Sequence, residues 1–132
     1  MERKPGGYRQ PIEQQRIESK MDKEDFQNWF CQIWEMPGAS TKNGHPAPFP
    51  LELANRLVKM FSFVGDTVLD PFCGSGTTML AAINNGRNSL GIETEAFYCD
   101  YSIKRIENSR NMFSDYTLQY IDLTQEEDGY DA

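Results

Sequence analysis

The stretch Asp-Pro-Phe-Cys-Gly-Ser-Gly-Thr-Thr, residues 70 to 78, constrains the fold of this chain more than any other. A brief apolar run, Thr67-Val68-Leu69, precedes it. The apolar helix pattern of Met79 to Ile83 follows, closed by Gly86 as a left-handed C-cap. Strand, glycine turn, helix is the expected order. A second unit comes next: Ser89 to Ile92 form a short run ending at Glu93, and Ala96, Cys99, Ile103 and Ile106 then recur at helical spacing. Two βα units in succession predict an α/β fold with parallel strands, and such sheets carry their ligands at the carboxyl ends of the strands. At 132 residues the chain is long enough for one modest core.

The composition of the turn narrows the ligand. Gly74 and Gly76 let main-chain amides approach a bound group closely, and the helix opening at Thr77 and Thr78 adds unpaired N–H groups and a positive dipole end. A dinucleotide fingerprint needs a third glycine where this chain has Met79, and a phosphate-cradling loop needs Gly-Lys-Ser/Thr, which is absent. Pyrophosphate is therefore disfavoured. Asp70 would repel a phosphate but suits a cationic amine. Glu93 closes the second strand 23 positions after Asp70, where a carboxylate accepts hydrogen bonds from ribose hydroxyls. An amine and a ribose together describe S-adenosylmethionine.

The flanks carry less information. Residues 1 to 20 are rich in Gln, Arg, Pro and Gly without periodicity, and read as an extended arm. From Lys23 to Glu35, Phe26, Trp29, Phe30, Ile33 and Trp34 describe a short amphipathic helix with an aromatic face, ended by Pro37-Gly38. A further helix is expected from about Pro50 to Phe61, with Leu53, Leu57, Val58 and Phe61 on one side. Tyr116, Leu118 and Tyr120 alternate as in a last strand before an acidic tail.

That tail concentrates the charge. The chain carries 13 Lys plus Arg against 20 Asp plus Glu, a formal net charge of -7, and Asp122, Glu126, Glu127, Asp128 and Asp131 lie within its last residues. The balance does not suggest a free-standing nucleic-acid binder, although the basic residues Arg3, Lys4, Arg9, Arg16 and Lys20 near the start could meet phosphates. Cys31, Cys73 and Cys99 are an odd number without C-x-x-C spacing, so neither a disulfide framework nor a zinc site is expected, and a reducing cytoplasm fits best. No stretch is apolar and long enough to suggest a membrane span, and a single histidine, His45, makes no histidine-based metal site.

Residues 45 to 93, "HPAPFPLELANRLVKMFSFVGDTVLDPFCGSGTTMLAAINNGRNSLGIE", resemble the cofactor-binding part of the DNA amino-methyltransferases of restriction-modification type. The resemblance implies a partial Rossmann-like S-adenosylmethionine-dependent methyltransferase fold with an incomplete sheet. It also implies a set of roles. Asp70, Pro71, Phe72, Gly74 and Gly76 match the residues around the methionine part and the adenosyl face of the cofactor, with Phe72 stacking beside adenine. Thr77 and Thr78 match the helix start near its carboxylate, Glu93 the ribose acceptor, and His45, Pro46, Phe49 and Pro50 the segment closing over its amino-acid end. No metal ligand is implied.

The family's Asp/Asn/Ser-Pro-Pro-aromatic quartet, which holds the target amine, is absent, because Pro-Pro never occurs in the chain. No catalytic residue is therefore assigned. The expected organisation is a recognition-region tail and aromatic helix over 1–44, S-adenosylmethionine-binding βα units over 45–114, and a last strand with acidic tail over 115–132. The expected function is the cofactor-binding part of a site-specific DNA methyltransferase acting on adenine N6, with double-stranded DNA met through another part or a partner chain carrying the quartet. Cytosine N4 as target, and a non-catalytic cofactor-binding module or remnant, remain open alternatives.

Overall fold

The computed structural model describes residues 7, 9–38, 49–110 and 115–123. Their order is α1 (Glu13–Glu18), α2 (Lys23–Trp29), α3 (Leu51–Phe61), β1 (Thr67–Asp70), α4 (Thr77–Asn84), β2 (Asn88–Gly91) and α5 (Ala96–Asn108). The two strands pair in parallel with α4 as the crossover, in the register Thr67↔Asn88, Leu69↔Leu90 and Asp70↔Gly91. This is the α/β arrangement that the repeated strand, turn and helix pattern predicts. Asp70 ends the first strand, and Glu93 follows two residues after the second.

The core lies on one face of this sheet. Ala54 and Val58 of α3 meet Ala81 of α4, with Leu51 and Val68 packed against them. Alanines at the crossing let the helix backbones approach closely, and Ala81 and Ala82 are fully buried. Burying one valine here contributes about 2 kcal/mol. The buried stripe of α3 is thus Leu51, Ala54 and Val58: of the expected side Val58 is buried and Leu53 half-buried, whereas Leu57 and Phe61 are exposed. The other face of the sheet is open: the register partners Leu69 and Leu90 are 59% and 55% exposed.

Gly86 takes φ +70 just past α4, as the C-cap reading requires. Arg87, buried beside it, donates to the Ser62 carbonyl at 2.7 Å, the Ser62 hydroxyl at 3.1 Å and the Asn85 carbonyl at 2.6 Å. Its guanidinium joins the end of α3 to the start of β2. α1 is pinned to the turn before β1, because Gln15 Nε2 donates to the Val64 carbonyl at 2.9 Å and the Val64 N–H donates to Ser19 Oγ at 2.8 Å. The expected extended arm therefore contains a docked helical turn.

Two further expectations are corrected. α2 ends at Trp29 instead of running to Glu35, because the chain folds back so that the Trp34 indole donates to the Trp29 carbonyl at 2.8 Å. Arg56 then stands 5.5 Å from the Trp29 ring and 5.6 Å from the Trp34 ring, with Lys59 also 5.5 Å from Trp29. Cation–π contact thus replaces the continuous aromatic face. Trp29 is buried, whereas Phe26 and Phe30 meet with ring centroids 4.6 Å apart, tilted by 33°, and each stays about half exposed. Residues 115–122 form no strand. Tyr116 instead donates its hydroxyl to the Ile106 carbonyl at 2.8 Å, and Arg110 bonds the Tyr116 carbonyl, so the segment is held to the end of α5 and not to β2.

Candidate functional site

The site is built where both strands end. At the exit of β1, Asp70 Oδ1 accepts the Phe72 N–H at 3.1 Å, a local turn that aims the chain outward. Pro71 is exposed and Phe72 is 88% exposed, so Phe72 belongs to no core and offers its ring to solvent. Cys73 returns inward: its N–H donates to the Ile92 carbonyl at 3.0 Å, joining the turn to the exit of β2. Gly74 and Gly76 then take positive φ of 48° and 74°, and the Gly76 N–H closes on the Cys73 carbonyl at 2.8 Å. Gly76 is the N-cap of α4, and Thr77 and Thr78 open that helix, Thr77 buried and Thr78 half-buried.

Glu93 fastens the two loops together. Its Oε2 accepts the Gly74 N–H at 2.9 Å, while Oε1 accepts the N–H groups of Thr94 at 2.8 Å and Glu95 at 3.0 Å. These bonds, led by that from Glu95, outweigh burial and hold the carboxyl below the usual range for glutamate. A group depressed in this way contributes stability in full above its unfolded value, and loses it as pH falls through its folded value. Asp70, Gly74, Gly76, Thr77 and Glu93 therefore lie together at the ends of the two strands. Phe49 and Pro50 stand at the head of α3, Phe49 40% exposed, and His45 and Pro46 lie outside the described residues.

Three participants escaped sequence reasoning. Arg105 of α5 donates to the Ser75 carbonyl, the Ser75 hydroxyl and the Thr77 hydroxyl, at 3.0, 3.2 and 2.8 Å. Ser75, buried within the turn, is the second. Gly91 is the third: a Cβ there would come within 2.2 Å of Met79 Sδ and 2.9 Å of Cys73 Sγ, so only glycine lets β2 lie beneath the turn. The position of Gly91, two residues before Glu93, is a local signal that could have found it, whereas no local pattern marks Arg105.

Cys73 sits between the two carboxylates. Burial, with Asp70 and Glu93 nearby, pushes its thiol up to about 11. It is therefore protonated and inert at neutral pH. Brief maleimide labelling at pH 7 should modify the exposed Cys31 first and leave Cys73 unmodified, as read by mass spectrometry of peptides. Among the described residues no cluster of His, Cys, Asp and Glu could hold a metal ion, and no helix is long and apolar enough to cross a membrane.

Two acceptors at the ends of adjacent strands flank a turn of amide donors and a helix N-terminus. Such a site holds amine and hydroxyl groups on its acidic side and a carboxylate at the helix. Known proteins share the sequence and the fold. The chain is 48% identical over 91 residues to the type II methyltransferase M.MjaI of Methanocaldococcus jannaschii, covering 64% of this chain and 29% of that protein. It is 44% identical over 97 residues to the type II methyltransferase M.BglI of Bacillus subtilis, covering 70% of this chain and 28% of that one. The chain thus spans under a third of the length of these relatives. Its structure matches that of TTHA0409 from Thermus thermophilus, in complex with S-adenosyl-L-methionine, with a TM-score of 0.74 and 50% identity, over 85% of this chain and 44% of the other. A family model for DNA methylases of the N6/N4 type matches residues 4–104, and the chain belongs to that family.

Proposed function

We propose that this chain is the S-adenosylmethionine-binding part of a site-specific DNA methyltransferase whose target is the N6 amine of adenine. The observation that carries the reading is the Glu93–Gly74 bond, which sets the two acidic strand ends around one glycine turn. The residues present fit that cofactor. Asp70 suits its amine, the first turn of α4 suits its carboxylate, and Glu93 suits its ribose. Oε1 of Glu93 accepts from the Thr94 N–H, the Thr94 hydroxyl and the Glu95 N–H, whereas Oε2 accepts only from the Gly74 N–H, so Oε2 takes one hydroxyl without losing a bond. Accepting both hydroxyls requires release of the Gly74 N–H. Phe72, free of the core, is available to lie against adenine.

The bound cofactor supplies a methyl group on a sulfonium, and the protein's task is to hold that methyl in line with an incoming amine. The chain carries no Pro-Pro quartet to hold the amine. That task falls to a further part or a partner chain, which would also meet double-stranded DNA and flip the base. Adenine is preferred to cytosine N4 on the resemblance of the "HPAPFP" segment, and the free cysteines suit work in a reducing cytoplasm. The exposed Phe26–Phe30 pair favours a second reading, a non-catalytic cofactor-binding module that docks through this surface.

Calorimetry with S-adenosylmethionine, and methyl transfer to DNA with and without a quartet-bearing part of a relative, test both. We expect binding by the chain alone, and transfer only with the added part. No binding sinks the cofactor assignment, transfer by the chain alone sinks the half-enzyme, and binding without transfer in the mixture favours the module.

A further inference from the structure

We propose that Arg105 is the positioning residue of the glycine turn, setting its peptide groups in the orientation that receives the cofactor. The inference rests on the cofactor reading above for its ligand, and on the hydrogen bonds of α5 for its geometry.

α5 backs the turn directly. A Cβ on Gly76 would stand 2.9 Å from Ser102 Cβ and 3.7 Å from Ile106 Cδ1, and both Ser102 and Ile106 are buried. Arg105 lies on the same stretch of helix. Its Nη1 reaches the Ser75 carbonyl, the Ser75 hydroxyl and the Thr77 hydroxyl, and those two residues are 8% and 3% exposed. Neither hydroxyl has an acidic partner in these contacts, so the guanidinium is held by neutral oxygens of the turn. A cation held in this way orients the dipoles around it.

The Ser75–Gly76 peptide shows the consequence. Its carbonyl faces Arg105, and its N–H closes on the Cys73 carbonyl at 2.8 Å. The peptide plane is fixed at both ends, and it leads into Gly76 in the αL conformation. The Thr77 side chain is drawn toward α5, which leaves the main chain of the first turn of α4 to face the ligand side. Arg105 also adds a formal positive charge beneath the positive end of α4, where the cofactor's carboxylate would lie. It touches the turn and not the reacting atoms.

The test compares the full chain with Arg105→Ala and Arg105→Lys by two measurements. Residue-resolved amide hydrogen exchange of the ligand-free protein reads the turn without any cofactor. Calorimetry reads affinity for S-adenosylmethionine. We expect Arg105→Ala to accelerate exchange at residues 74 to 78 while Val68 and Leu69 keep their rates, and to weaken binding by at least about 10-fold, the worth of one charge-assisted hydrogen bond. Arg105→Lys should recover part of both, since its ammonium reaches some of the same oxygens. Unchanged exchange at the turn, or acceleration spread equally over β1, would overturn the proposal in favour of ordinary helix packing. Wild-type affinity in a variant with a loosened turn would overturn it as well. If Arg105→Ala fails to fold, Arg105→Lys carries the same comparison. A wild-type chain that binds no S-adenosylmethionine defeats the cofactor reading, and the exchange measurement still decides what Arg105 does to the turn.

Discussion

Glu93→Ala should lower affinity for S-adenosylmethionine by about 100-fold or more, the largest binding loss of any single change in the chain. The expectation has two parts. A hydrogen bond to a charged acceptor is worth about 1.5 to 3 kcal/mol, and the ribose loses at least one such acceptor. The same carboxylate holds the Gly74, Thr94 and Glu95 N–H groups, so its removal also frees the two loops from each other before any ligand arrives. Glu93→Gln separates these parts. A neutral amide still accepts from ribose at one oxygen but cannot accept from Gly74 on one side and from Thr94 and Glu95 on the other. Calorimetry should place it between wild type and alanine. Equal affinity across all three proteins would remove Glu93 from the site.

Gly76→Ala should produce the largest loss of stability, about 3 kcal/mol. A side chain at φ +74 costs about 1 to 2 kcal/mol through contact with its own backbone. Its Cβ would also stand 2.9 Å from Ser102 Cβ and 3.5 Å from Ser102 Cα, so relief requires moving α5 away from the turn. Overpacking of that kind costs about 1 to 3 kcal/mol. For a domain of this size the melting temperature should fall by about 10 °C. Gly76→Ala with Ser102→Gly, which clears the Cβ contact, should recover the packing part and leave the backbone part. No recovery would mean that the conformation alone makes glycine necessary.

What was legible in the sequence is what local chemistry decides. The positive φ of Gly74, Gly76 and Gly86, the strand before the turn and the helix after it all follow from short-range rules. So does the placing of Asp70 and Glu93 at neighbouring strand ends, once parallel pairing is assumed. The misreadings came from partners distant in space. α2 continues to Glu35 by periodicity, but the Trp34 indole finds the Trp29 carbonyl and Arg56 fills the space between the rings. Tyr116, Leu118 and Tyr120 alternate as a strand does, yet alternation makes a ladder only where another strand offers its edge. Arg105 is one of two adjacent basic residues on α5, beside Lys104, and only the folded chain shows its bonds to residues some thirty positions earlier.

The open face of the sheet has a thermodynamic consequence. Leu69 and Leu90 keep more than half of their surface in water in the folded chain, so their hydration changes less on unfolding than that of a buried leucine. Apolar surface that is wet in both states adds almost nothing to the heat capacity of unfolding, and that quantity sets the curvature of stability with temperature. The isolated chain should therefore have a shallow stability curve for its length, with unfolding spread over a broad range. Any surface that comes to cover this face converts the same leucines into a source of curvature, sharpening the melt as well as raising it.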